Sequence, residues 1–177
     1  MALRPGWTVR RLERPYTRVS KKKPRKSYVV GVPPIRIHQF EMGNKDREFE
    51  VNVWLVSKKS VQVRHNALEA ARVVSNKFLE KKLGSENYFF KVLVYPHHVL
   101  REHALATGAG ADRFSSGMRR AFGKPSGRAA QVSKGQRIML LRVDKKDLEI
   151  ARQAFKRANT KLPMPCMIEV EDLTKKD

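Results

Sequence analysis

The chain has 177 residues, with 38 Lys+Arg against 17 Asp+Glu and a formal net charge of +21. At roughly 100–200 residues per domain, this length predicts one domain with an arm or tail, and 41% hydrophobic residues suffice for one modest core. No stretch approaches the ~20 apolar residues needed to cross a bilayer. Met1–Arg10 lacks the apolar core of a secretory signal, and a single cysteine, Cys166, makes neither an internal disulfide nor a cysteine-rich metal site. The expectation is a soluble, intracellular, strongly basic domain.

Residues 1–34 read as an extended basic arm. Pro5, Pro15, Pro24, Pro33 and Pro34 fix φ and remove donors, which disfavours helix. Between them stand Arg10, Arg11, Arg14, Lys21, Lys22, Lys23, Arg25 and Lys26, with Trp7, Tyr16 and Tyr28 interleaved. Such aromatics either stack on unpaired bases or pin the arm to its own domain.

A single α+β domain is expected over 35–172. Ile35–Phe40 alternates and reads as a strand, followed by a polar turn over Gly43–Asp46. Phe49, Val51, Val53 and Leu55 alternate with Glu50, Asn52 and Trp54 as a half-buried strand, and Ser60–Val63 extends or follows it. Asn66 with Glu69 has the spacing of a capping box, and Leu68, Ala71, Ser75, Phe78 and Leu79 form a helical stripe that Gly84 ends. The charges Arg72, Lys77, Glu80, Lys81 and Lys82 are expected to lie mostly off that stripe. Tyr88–Tyr95 reads as a central strand and His97–His103 as another.

Ala104–Gly117 is a long loop of small residues, uncommon unless functional. Met118–Val132 and Gln136–Val143 then read as strands, and Asp144 with Asp147 as caps of a second helix with the stripe Leu148, Ala151, Phe155, Ala158. Met164–Val170 closes the domain, and 173–177 is a charged tail. The order of elements predicts a mixed or antiparallel sheet with two main helices.

The charge is not spread evenly. Residues 1–30 hold ten cations against Glu13 alone, and residues 113–142 hold eight with no acid, so the other 117 residues carry only +4. A polyanion is the natural partner, because cations that neutralise phosphates release condensed counterions; a solvated face with a localisation tag is the plainer alternative. The prolines and the missing amphipathic period argue against a membrane-surface helix.

No catalytic, metal or cofactor site is expected. His97 and His98 point to opposite faces of a strand and cannot share a metal. Gly117–Lys124 has five residues between its glycines where the phosphate-binding loop needs four, and Pro125 stands in place of its Ser or Thr. Cys166 lies in an apolar run, as a buried thiol does. His103 and Asp112 flank the loop, but nothing in the sequence places a substrate between them. Glycines at 108, 110, 117, 123 and 127 let backbone approach something bulky, while Arg113, Arg119, Arg120, Lys124 and Arg128 can contact phosphates. On a strand Met118–Phe122, Arg119 would face one way and Met118 with Arg120 the other. A basic strand beside a pliable tip suits irregular RNA, whereas duplex DNA is more often read by a helix in the major groove. A DNA-compacting protein and an RNA-modifying enzyme using Asp112 or His103 are the alternatives.

Ala109–Arg113, Ser116–Arg119 and Ala121–Pro125, followed by Gly127, resemble the central signature of a ribosomal protein family. This is the archaeal and eukaryotic large-subunit family L-ten-e, counterpart of bacterial L-sixteen. Ala67–Arg72, Asn76-Lys77 and Val92–Val99 support the resemblance, which runs from about Arg25 to Pro163. It implies an α+β fold of the hammerhead type and a structural, cytoplasmic ribosomal constituent near the aminoacyl-tRNA site and the peptidyl transferase region. The implied partners are large-subunit rRNA, aminoacyl-tRNA and neighbouring ribosomal proteins, with no membrane and no homo-oligomer. Thr107, Gly108, Ala109, Gly110, Ala111, Asp112 and Arg113 would then face the tRNA. Arg113, Arg119, Arg120, Lys124 and Arg128, with the arm cations, would face rRNA. The short C-terminus looks more archaeal than eukaryotic.

Overall fold

The computed structural model describes residues 3–13, 29, 31–106, 108–114 and 116–173. Every strand pairing among them is antiparallel. One sheet has five strands in the order β1-β4-β7-β2-β8: β1 Glu41–Gly43, β4 Phe89–Val92, β7 Arg137–Val143, β2 Val51–Ser57 and β8 Cys166–Asp172. The second has three, ordered β3-β6-β5: β3 Val61–Arg64, β6 Lys124–Val132 and β5 His98–Glu102. Two long helices, α1 His65–Leu83 and α3 Leu148–Asn159, pack on each other, and α2 Ala111–Phe114 is a single turn. The expected α+β class is therefore observed.

The core follows from the apolar stripes. Leu68, Ala71, Ser75, Phe78 and Leu79 of α1 are buried as their spacing predicts, and Ala151, Ala154, Phe155 and Ala158 supply the facing stripe of α3. They close over β2 and β7, where Val53, Leu55, Ile138, Met139 and Leu141 are almost fully buried. Phe90 meets Phe155 with ring centroids 6.3 Å apart. Gly84, at φ +77°, ends α1 as expected, its N–H bonding the Glu80 carbonyl.

Strand β2 is buried on both faces rather than half-buried. It lies between β7 and β8, and its second face is covered by side chains from those neighbours. The Arg137 guanidinium sits 4.1 Å over the Trp54 ring, while the Glu171 carboxylate accepts from Trp54 Nε1 at 2.9 Å and Asn52 Nδ2 at 3.3 Å. These two bonds hold the exposed Glu171 carboxyl below its usual range.

Several expectations do not hold. Residues 35–40 form no strand; pairing begins at Glu41, although the Phe40 carbonyl already accepts from Val92 N. The backbone N–H of His38 is directed instead to the Glu69 carboxylate, 3.4 Å away on α1. That carboxylate makes no capping box: α1 starts at His65 with Arg64 at its cap and no side-chain cap bond. Glu69 is held instead by Arg72, whose Nε and Nη2 donate at 2.8 and 2.6 Å. Arg72 is correspondingly buried, not off the stripe, and its Nη1 reaches the Met42 sulfur. Asp144 and Asp147 also make no cap. A one-turn 3-10 segment, Lys145–Asp147, intervenes, and the Asp144 carboxylate accepts from Arg47 at 2.6 Å. Cys166 is half-buried, and burial pushes its thiol up to about 11, so it stays protonated at neutral pH.

Part of the N-terminal segment is folded. Gly6–Val9 forms a 3-10 turn after Pro5, where extended backbone was expected. Residues 3–13 dock on the smaller sheet: Gln62 N donates to the Arg10 carbonyl at 2.8 Å, Arg64 to the Arg4 carbonyl at 2.7 Å, and Arg4 pairs with Glu102 at 2.6 Å. The predicted arm cations Arg14, Lys21, Lys22, Lys23, Arg25 and Lys26 lie outside the described residues, as does Thr107.

Two stability measurements follow. Phe155→Ala removes a fully buried ring and should cost about 4 kcal/mol, seen as a lower denaturant midpoint at unchanged slope. Glu69→Gln leaves the buried Arg72 guanidinium without its anion, costing about 2 kcal/mol at neutral pH. The Arg72 hydrogen bonds hold the Glu69 carboxyl below its usual range. A depressed folded value means this stabilisation is complete above the ordinary carboxylate range and fades as pH falls through the folded value. Denaturant curves of the two proteins should therefore converge in acid.

Candidate nucleic-acid interface

Strands β5 and β6 form a hairpin whose connection is the long loop of small residues. Its base is held by backbone fit. Gly123 has φ +72°, and a Cβ there would lie 2.5 Å from the Glu102 carbonyl carbon and 2.6 Å from its oxygen. Only glycine allows that approach. Arg101 Nη1 donates to the Gly123 carbonyl at 3.0 Å, and its guanidinium covers the Phe122 ring at 4.0 Å. His103 Nε2 and the Gly117 carbonyl oxygen stand 2.7 Å apart across the loop. The tip is thus tied at its neck.

Beyond the neck, the tip is more structured than a plain loop. The carbonyls of Gly108 and Gly110 accept from Ala111 and Arg113, setting the single turn of α2. Residues 118–123 are not a strand. The bonds Arg119 N to Ser116 O, Ala121 N to Met118 O and Gly123 N to Arg120 O make successive turns, with Arg120 itself at φ +60°. Extended pairing starts only at Lys124. The expected two-sided alternation of Met118, Arg119 and Arg120 is therefore absent. The signal for this lay in Gly117 and Gly123, both at positive φ, which mark turns at either end of the stretch.

Arg113, Arg119, Arg120 and Lys124 are exposed, and none forms an ion pair with a described carboxylate. Beside them Phe114 and Met118 are 87% and 75% exposed, so apolar and cationic groups share one protruding surface. Ala109, Ala111 and Asp112 lie in the same tip, with Asp112 in the first turn of α2. Arg128 sits further along β6, half-buried, its Nη1 3.4 Å from the Tyr95 hydroxyl. Between Lys124 and Arg128 the register slips, from Leu100 opposite Gly127 to Arg101 opposite Pro125. This bulge breaks the two-residue alternation at the sheet's rim, a common way of re-aiming side chains.

Arg10 and Arg11 are exposed on the docked N-terminal segment, with Trp7 72% exposed nearby in sequence. The structure also brings together residues that sequence reasoning missed. Arg36, Arg64, His65 and Asn66 line one cavity with Lys124 and Arg128. A basic-polar run immediately before an apolar helix stripe was the available signal. Among the described residues no group of three or more His, Cys, Asp or Glu is placed to hold a metal. His98 is buried and held below the usual imidazole range by desolvation, whereas its neighbour His97 is exposed.

Residues 16–169 match the family model for ribosomal protein L16p/L10e. Among similar proteins, the large ribosomal subunit protein uL16 of Archaeoglobus fulgidus is 52% identical over 171 residues, covering 97% of this chain and 94% of its own. The uL16 of Methanocella arvoryzae is 47% identical over 97% and 96% of the two chains. That of Staphylothermus marinus is 48% identical over 90% and 87%. The chain belongs to the ribosomal protein L16p/L10e family, and with it to the structural, non-enzymatic constituents of the ribosome.

Proposed function

We propose that the protein holds folded large-subunit rRNA with the cations around the β5–β6 hairpin and presents the hairpin tip towards aminoacyl-tRNA near the peptidyl transferase region. The observation that carries this reading is the group Arg113, Arg119, Arg120 and Lys124, exposed and without acidic partners among the described residues, on a tip tied at its neck. Cations that no carboxylate pairs are free to exchange their counterions for phosphates. The tied neck limits the entropy lost when the tip enters a cleft. Exposed Phe114 and Met118 add faces on which an unpaired base can rest. Arg10, Arg11 and the arm cations Arg14, Lys21, Lys22, Lys23, Arg25 and Lys26 extend the same chemistry, with neighbouring ribosomal proteins as further partners.

Two experiments test this. Arg119→Ala or Lys124→Ala should weaken binding to large-subunit rRNA fragments regardless of sequence, lowering the salt slope by about one for each phosphate left unneutralised. An unchanged slope would remove the residue from the interface. Deleting residues 107–113 should leave folding and incorporation into the subunit intact while slowing aminoacyl-tRNA accommodation. Loss of incorporation would mean that the tip docks the protein instead of serving tRNA.

A further inference from the structure

A cavity of about 720 Å³ lies where the docked N-terminal segment, the start of α1 and the β5–β6 hairpin meet. Six cations line it: Arg4, Arg36, Arg64, Arg101, Lys124 and Arg128. Glu102 is the only carboxylate among its described lining residues, and Arg4 occupies that carboxylate at 2.6 Å. The walls are therefore positive with their acid already spent.

The floor has a different character. His65, the first residue of α1, is only 7% exposed, and its Nδ1 is buried without a hydrogen-bond partner. The adjacent Asn66 Oδ1 is likewise buried and unbonded. Buried polar atoms are normally satisfied, so two orphans on consecutive residues that line one cavity call for an explanation. Burial, reinforced by Arg36, Arg128 and Arg64, holds His65 below the usual imidazole range, so its ring is neutral at physiological pH. Gly127 faces this floor, since a Cβ there would stand 3.6 Å from His65 Nε2.

The two halves make different demands on a ligand. Guanidinium groups call for an anion. A neutral imidazole and an amide oxygen call for a group that donates as well as accepts hydrogen bonds. A lone phosphate or a carboxylate meets only the first demand and leaves most of the volume empty, because cavities of this size ordinarily hold whole organic ligands, about 300–1,000 Å³. We propose that this cavity receives one unstacked nucleotide of single-stranded RNA, its phosphodiester against the guanidinium groups and its base edge against His65 and Asn66. The assignment rests on the RNA-binding reading above and gives it a discrete, shape-selective site. A base can enter only if it is out of its helix, so the site selects irregular RNA over duplex.

The test uses the full chain and the ring resonances of its histidines, with His65 assigned through His65→Gln. Probes are a single-stranded RNA hexamer of mixed sequence, an RNA duplex of the same length, and inorganic phosphate at matched ionic strength. The hexamer should shift the His65 ring signals at concentrations where duplex and phosphate leave them in place. Gly127→Val adds a side chain over the floor without altering charge, in a strand that tolerates β-branching. It should abolish the shift and weaken hexamer binding about tenfold, with the salt slope unchanged. Asn66→Ala, which removes an unbonded oxygen, should weaken binding about threefold with no drop in denaturation midpoint. Equal response to phosphate or to duplex would overturn the proposal, as would a silent His65 or wild-type affinity in both variants. In those cases, retained binding to rRNA fragments with the normal salt slope leaves the broader reading standing, whereas loss of all rRNA binding by the wild-type chain defeats both.

Discussion

Self-repulsion is the constraint on which this molecule is organised. A net charge of +21 on 177 residues opposes compaction, yet the chain folds because its cations and its apolar residues are sorted into different places. The five-stranded sheet and helices α1 and α3 bury Phe90, Phe155, Leu68, Leu79 and the apolar residues of β2 and β7 in one continuous core. Around that core charges are matched: Arg47 with Asp144, Arg72 with Glu69, Lys91 with Glu41, Lys145 with Asp172. The acid-free stretch from 113 to 142 begins in the hairpin tip, away from the core, and only its later residues return to the sheet. There Arg137 and Arg142 lie over the rings of Trp54 and Phe89, whose negative faces attract the guanidinium groups.

The elements with strong periodicity were legible in the sequence. The stripes of α1 and α3 repeat one spacing long enough to specify both type and buried face, whereas β2, β7 and β8 were legible as strands without their faces, β2 being covered on both. Short segments were not, because several local solutions compete there. Residues 35–40 alternate like a strand, but the backbone at His38 gains a carboxylate from α1. Asn66 and Glu69 have cap spacing, but a guanidinium one turn along offers Glu69 two charge-assisted bonds where the cap offers one neutral donor. No sequence pattern reports which of two such partners is nearer in space.

The interface shows the same division. That the tip's cations stand in an acid-free run is visible in composition alone. How they are displayed is not. The turns over residues 118–123 and the bulge beside Gly127 depend on the meeting of chain segments about 20 residues apart, such as Gly123 against Glu102. The cavity floored by His65 depends on five separate segments meeting, within 3–9, 33–36, 64–66, 100–103 and 124–128. Rigid features of this kind arise from the tertiary fold and leave only scattered glycines and polar residues in the text.

The two tryptophans report on different parts of this arrangement. Trp7 stands in the docked N-terminal turn and is largely bare to solvent, whereas Trp54 is wedged between a guanidinium and a carboxylate on the sheet. Emission from the first indole follows what covers the N-terminal segment, while emission from the second changes when the sheet opens. Replacing either ring by phenylalanine thus separates, within one molecule and without a label, the optical signature of docking onto a partner from that of unfolding.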